Sequence, residues 1–129
     1  MEDNKHEGWS NRETWALNLW LSNDEGFYDH LREIIKEMAQ SHENEECKVT
    51  ADDRDKIIHD FAVWLKDYIE QLKEECDNMN HEEACKHHYN GCLHTFFDDI
   101  GSLWRIDYEE IAEPWVQDTI DDYEDDNKA

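Results

Sequence analysis

The sequence predicts an all-α fold, a compact bundle of about five to six helices with at most one very short extended segment. Three observations predict it. One Pro and four Gly in 129 residues leave few natural breaks, which suits long helices and few turns. Apolar side chains recur at three- and four-residue spacing, the period of a helix with one buried stripe. The alternation of a half-buried strand is nearly absent, and residues 103–106 are the one extended candidate.

The elements follow in order. Residues 1–8 read as a frayed lead. Ser10-Asn11-Arg12-Glu13 has capping-box spacing, with Ser10 as the cap and Glu13 reaching back to it. The helix it opens carries Trp15, Leu19 and either Trp20 or Leu17 on its buried side, and stops near Ser22-Asn23. Asn23 or Asp24 then caps a helix with Phe27, Leu31, Ile34, Ile35 and Met38 on one stripe. Residues 41–48 are polar and acidic, and read as a loop. Thr50-Ala51-Asp52-Asp53 starts the longest helix, running to about Cys76 with Ile57, Phe61, Trp64, Leu65, Tyr68, Ile69 and Leu72 in helical period. Asn78 and Asn80 mark a turn, and a helix follows over 81–89. Asn90-Gly91 ends or weakens that helix before Leu93, Phe96, Phe97 and Ile100. Asp107-Tyr108-Glu109-Glu110 opens the last helix, which carries Ile111, Ala112, Trp115, Val116 and Ile120. Pro114 inside it should kink it or end its first part. Residues 121–129 read as a frayed acidic tail, and the whole chain as a single acidic helical domain without internal repeats.

Lys and Arg total 12 against 35 Asp and Glu, a formal net charge of -23. Chains this acidic are often disordered for want of apolar surface. Six Trp, five Tyr and four Phe argue for a folded core inside a carboxylate shell. The same charge argues against direct binding of nucleic acid, whose phosphates it would repel. No run of about 18 apolar residues exists to span a membrane. Met1-Glu2-Asp3-Asn4-Lys5-His6 has no apolar signal region behind it, so the expected compartment is the cytosol, that of the host cell if a phage encodes the chain. Cys47, Cys76, Cys85 and Cys92 are then expected as reduced thiols.

Two segments carry a resemblance. Gly8-Trp9-Ser10-Asn11-Arg12-Glu13-Thr14-Trp15, followed by Leu19-Trp20-Leu21-Ser22-Asn23-Asp24-Glu25-Gly26-Phe27-Tyr28, resembles the opening of a family of small helical proteins of phages, plasmids and other mobile elements, which share a Gly-Trp-Ser/Thr-Asn-x-x-Thr-Trp signature. Ile106-Asp107-Tyr108-Glu109-Glu110-Ile111-Ala112-Glu113 is similar to that family's closing motif, from which Pro114 departs. The resemblance implies a helical domain and a mobile-element origin. It implies no catalytic residues, since the family has no settled activity.

Between Asp98 and Asp126 the chain holds twelve acids against one base, Arg105. The long helix adds Asp52, Asp53, Asp55, Asp60, Asp67, Glu70, Glu74, Glu75 and Asp77. Like charges three or four apart on a helix cost about 0.2–0.5 kcal/mol per pair. A chain that accepts this repeatedly either uses the negative field or tolerates it for solubility. Carboxylates once per turn stand roughly 5–6 Å apart, comparable with neighbouring phosphates. The functional expectation is therefore a nucleic-acid mimic that occupies the basic DNA- or RNA-binding groove of a host defence nuclease, as an anti-restriction or anti-CRISPR inhibitor. The contact residues expected are Asp98, Asp99, Glu109, Glu110, Glu113, Asp118, Asp121, Asp122, Glu70 and Glu74.

Two alternatives compete. An acidic adaptor would use exposed aromatics, for which Trp9 and Trp104 are the candidates among Trp9, Trp15, Trp20, Trp64, Trp104 and Trp115; most of the six are expected in the core. A metal-dependent regulator would use His81, Cys85, His88 and Cys92, which recur at four, three and four residues. Four ligands along one helix cannot close around one ion, so the expectation is that they bind no metal and that the chain needs no cofactor. The chain lacks a phosphate-cradling Gly-rich loop, a Gly-x-Ser-x-Gly elbow and His-Glu-x-x-His. It is expected not to be an enzyme.

Overall fold

A computed structural model of the chain describes residues 8–42, 48–78 and 93–126. They form α1 (Arg12–Asn23), α2 (Glu25–His42), α3 (Ala51–Asp77), α4 (Leu93–Ile100), a 3-10 turn (Leu103–Arg105) and α5 (Tyr108–Asp126). The fold is all-α, a compact helical bundle with no sheet among the described residues. The helix expected over 81–89 and the set His81, Cys85, His88 and Cys92 lie outside the described residues.

Caps set most of the helix starts. The side chain of Asn11, not Ser10, accepts the Thr14 N–H at 2.8 Å and begins α1. Asp24 separates α1 from α2 with a single non-helical residue: its N–H closes α1 on the Trp20 carbonyl, and its carboxylate accepts the Phe27 N–H at 3.1 Å. Thr50 accepts from Asp53 N at 3.2 Å and Asp107 from Glu110 N at 3.0 Å, as the spacing in both places predicts. Of residues 103–106 only Ile106 is extended: the N–H groups of Arg105 and Ile106 bond the carbonyls of Ser102 and Leu103, so Leu103–Arg105 is a 3-10 turn. Gly101 ends α4 with φ of +91°, a left-handed conformation that Gly adopts without steric cost.

Helix α5 is the axis of the bundle. It packs most extensively on α3, which runs antiparallel to it: Arg54 bonds Gln117 and Glu124, while His59 meets Glu109. Helices α1 and α2 follow one another along a second side of α5, where Asn18 accepts the Trp115 indole N–H, Tyr28 lies on Trp115, and Arg32 reaches Asp122. Helix α4 closes the end against α1 and α2 through Phe96, which packs edge-on to Trp20 and stacks on Phe27. Leu17, Leu21, Leu31, Ile35, Ile57, Phe61, Leu65, Ile69, Ile100, Ile111 and Ile120 are fully buried at the centre. Each contributes about 1.5–3 kcal/mol of apolar burial.

Pro114 does not end α5, which continues twelve residues beyond it to Asp126. The helix loses one backbone bond there and keeps its packing on α3 and α2. Residues 121–126 are helical rather than frayed, because Asp121 and Glu124 are held by Arg54, and Asp122 by Arg32. In α1 the buried positions are Thr14, Ala16, Leu17 and Leu21, whereas Leu19 is 40% exposed and Trp15 and Trp20 only border the core. The register follows Thr14, which is buried because its hydroxyl has a specific partner.

That partner is the Asp107 N–H, donated to Thr14 Oγ1 at 2.9 Å. Around it the two ends of the described chain interlock. Asn11 Nδ2 donates to the Arg105 carbonyl at 2.7 Å, and the Ser10 N–H donates to both oxygens of Glu110, at 3.1 and 3.2 Å. Arg105 Nε lies 3.4 Å from Glu13, and Arg12 reaches the Ile100 carbonyl and Asp99. The opening segment 8–15 and the closing segment 106–113 are thus two halves of one clasp.

Candidate partner-binding surface

The ten carboxylates singled out by the sequence divide into two groups. Five are engaged by the fold. Asp99 accepts the Trp20 indole N–H at 2.8 Å and pairs with Arg12 at 3.4 Å. Glu109 pairs with His59 at 3.2 Å, Glu110 holds the Ser10 N–H, Asp121 pairs with Arg54 at 3.0 Å, and Asp122 with Arg32 at 2.6 Å. Burial alone would lower the Arg32 pKa, but its bonds to Asp122 and Tyr28 outweigh that and hold it raised. The four of these acids on α5 point at three different neighbours, the Ser10 segment, α2 and α3, so α5 does not present its charge as one ridge.

The other five have no hydrogen-bond or ion-pair partner among the described residues: Asp98, Glu113, Asp118, Glu70 and Glu74. Asp98 lies on the short α4, where it raises the Lys73 pKa by charge, after the larger effect of that lysine's bond to Asp77. Glu113 and Asp118 are five residues apart on α5, which turns them about 140° from each other. They face opposite edges of the helix.

Glu70 and Glu74 belong to a different surface. Helix α3 buries Ile57, Phe61, Leu65, Ile69, Leu72 and Cys76, and directs its opposite face to solvent. On that face stand Asp60, Asp67, Glu70 and Glu74, all exposed and none engaged by a side-chain hydrogen bond or ion pair among the described residues. A rise of about 1.5 Å per residue places Asp60, Asp67 and Glu74 about 10 Å apart along the axis, with Glu70 between the last two. A seven-residue interval drifts by only about 20° around a helix, so the row is nearly straight. Glu70 and Glu74 were legible as candidates in the sequence. Asp60 and Asp67 carry a signal of their own, the interval of seven shared by Asp53, Asp60, Asp67 and Glu74, which a count of acids alone does not single out.

The 3-10 turn carries the most exposed aromatic of the described chain. Trp104, at the middle of the 3-10 turn, is 83% exposed, and the Arg105 guanidinium lies 5.8 Å from its ring centre. Between the turn and α3 is an open depression of about 580 Å³, floored by Ala62, Val63 and Ile106 and flanked by His59, Lys66 and Arg105. Val63 is itself 50% exposed. Trp9, by contrast, is half-buried against the core and lines a smaller cleft of about 200 Å³ with Tyr28 and Trp115. Of the remaining tryptophans only Trp115 is buried; Trp15, Trp20 and Trp64 border the core.

Among the described residues two hydroxyls are buried without a hydrogen-bond partner, those of Tyr108 and Thr119. Burial pushes the Tyr108 hydroxyl well above its ordinary pKa, and the Glu70 charge adds to the rise. Among the described residues no group of three or more His, Cys, Asp or Glu side chains is placed to hold a metal ion, and no helix is long and apolar enough to cross a membrane.

No curated protein and no solved structure matches the chain. A family profile does match, over residues 2–124, and so takes in both halves of the clasp, the α3 row and Trp104. The chain belongs to a family of unknown function, DUF7249.

Proposed function

We propose that the protein is a nucleic-acid-mimicking inhibitor of a host defence nuclease, of the anti-restriction or anti-CRISPR type, that blocks a basic DNA- or RNA-binding surface. One observation carries the reading: the row Asp60, Asp67, Glu70 and Glu74 on one continuous helix, whose side chains have no hydrogen-bond or ion-pair partner among the described residues. Carboxylates that stabilise a fold find cations, as Asp121 and Asp122 do. These four instead add to the self-repulsion of a chain already at -23. A rigid helix holds them in register, so a basic groove meets them without an ordering cost, and long-range attraction speeds the encounter.

The test is cleavage of plasmid DNA by a panel of restriction endonucleases and RNA-guided nucleases, with the protein added at about 50 mM and about 200 mM salt. Inhibition of at least one enzyme that weakens steeply with salt supports the reading. It should be lost in the D60N/D67N/E70Q/E74Q variant. Inhibition that is flat with salt, or that survives this variant, overturns it. Trp104 favours one rival, an adaptor that docks through an exposed aromatic. In that case binding is insensitive to salt and to the four neutralisations.

A further inference from the structure

The cleft where α1 and α2 meet α5 holds about 200 Å³, below the roughly 300–1,000 Å³ of sites that enclose a drug-sized molecule, so it takes a small head group. Its walls are aromatic: Trp9, Tyr28 and Trp115, the last two with ring centres 5.5 Å apart. The most buried residue of its lining is Thr119, fully shielded from solvent, and the Thr119 hydroxyl has no hydrogen-bond partner among the described residues. A threonine inside a helix can give its hydroxyl to the carbonyl one turn back, here that of Trp115. That bond is not made, and the hydroxyl is left unmet in the wall of a cleft open to solvent.

The charges around the cleft select its ligand. Arg32 lines it as well, but the guanidinium is committed to Asp122 at 2.6 Å and to the Tyr28 hydroxyl at 3.2 Å. Asp118, also in the lining, is exposed and has no hydrogen-bond or ion-pair partner among the described residues. Asn18 Oδ1 accepts the Trp115 indole N–H at 2.7 Å and keeps a second lone pair. The cleft therefore offers acceptors and aromatic faces, and its one uncompensated charge is negative. An anion meets no free cation there. A cation meets ring faces and a carboxylate, and the chain's charge of -23 concentrates it at the surface.

We infer that the cleft binds the terminal primary ammonium of an alkyl chain. The N–H donors of that group match Thr119 Oγ1, Asn18 Oδ1 and the Asp118 carboxylate, and the methylene chain lies along the rings. A quaternary ammonium would suit the rings and the carboxylate but, having no N–H, would leave the Thr119 hydroxyl unmet. The site stands on the α1–α2 side of α5, whereas the carboxylate row stands on the outer face of α3, so it does not rest on the mimicry reading.

The experiment follows the six tryptophan indole N–H signals of the full, nitrogen-15-labelled chain by NMR, each assigned through a Trp→Phe variant. The probes are n-butylammonium, tetramethylammonium and butyrate at constant ionic strength. Butylammonium should move the Trp9 and Trp115 signals saturably, with half-saturation at least about fivefold below that of tetramethylammonium, the worth of one hydrogen bond. Butyrate should move neither. Thr119→Val should erase the preference for butylammonium. Because that variant also loses an unmet buried hydroxyl, it should be no less stable than the parent, so weaker binding there is not loss of the fold. Asp118→Asn should raise half-saturation about threefold or more, as an exposed ion pair does. No saturable shift, a smaller preference over tetramethylammonium, or an unchanged preference in Thr119→Val overturns the assignment. Two further probes separate the sources of the ammonium. Tighter binding of 1,4-diaminobutane than of Nα-acetyl-lysine methylamide supports the site as one for a free diamine, and the reverse order supports it as one for a lysine side chain.

Discussion

The hydroxyl of Thr14 accepts the backbone N–H of Asp107 at 2.9 Å, joining the first turn of α1 to the residue that caps α5. Thr14 is fully buried. Replacing it by Val keeps the shape and leaves the Asp107 N–H without its acceptor, a loss of about 1–3 kcal/mol. Thr14→Ser should retain most of the stability. Urea unfolding followed by helical circular dichroism distinguishes the two, and equal midpoints for Val and Ser would show that the bond contributes nothing.

Arg54 joins α3 to the end of α5 through Gln117 at 2.6 Å, Asp121 at 3.0 Å and Glu124 at 3.2 Å, with only 17% of its side chain exposed. Arg54→Met should lower stability by about 1–2 kcal/mol, less than a fully buried pair because Asp121 remains wet. It should also raise hydrogen exchange in residues 117–126 ahead of the rest of α5. Uniform exchange along the helix would place the clamp elsewhere.

Thr119→Val replaces a buried, unpartnered hydroxyl by a methyl group of nearly the same volume. Removing an unmade bond should stabilise by roughly 1 kcal/mol, read as a higher urea midpoint with unchanged slope.

Tyr108 gives the corresponding prediction in pH. Its folded pKa is raised, so above about pH 10 the unfolded chain gives up this proton while the folded chain keeps it. The contribution is complete below that pH and is lost as pH climbs through the folded value. Tyr108→Phe should therefore be at least as stable as the parent at neutral pH and should lose less stability in alkali. A parallel decline in both proteins would mean that other groups set the alkaline limit.

Charge reversal discriminates the two groups of acids. Asp121→Lys with Asp122→Lys should unfold more easily, since each faces an arginine of the fold. The D60N/D67N/E70Q/E74Q variant should instead unfold less easily at low salt, by a few tenths of a kcal/mol for each like-charge pair relieved. Added salt should narrow the difference between that variant and the parent.

The sequence carried the fold further than the site. Caps at Thr50 and Asp107 were legible, and the second cap narrowed to Asn23 or Asp24, because Asp, Asn and Thr compete locally for the same few N–H groups. The stripes of α2 and α3 were legible for the same reason of locality. Ser10 misled because its neighbour Asn11 offers a carboxamide that both caps α1 and reaches Arg105, and the second bond is invisible in the local sequence. The 121–126 segment looked frayed because its stabilising arginines, Arg32 and Arg54, lie at least 67 residues earlier in the chain. The same distance hid which acids were engaged. Composition counts carboxylates, but only the packing of α5 between α2 and α3 decides which of them face a cation.

The clasp also fixes the order in which this chain can reach its final state during synthesis. Ser10, Asn11 and Thr14 are made 93 to 100 residues before the groups that hold them, at positions 110, 105 and 107. Until then α1 has no anchor for its first turn, and α3 waits for the helix it packs on most. The clasp therefore cannot close before residue 110 has emerged, and a nascent chain stalled before residue 105 would present its aromatics to chaperones rather than to a target.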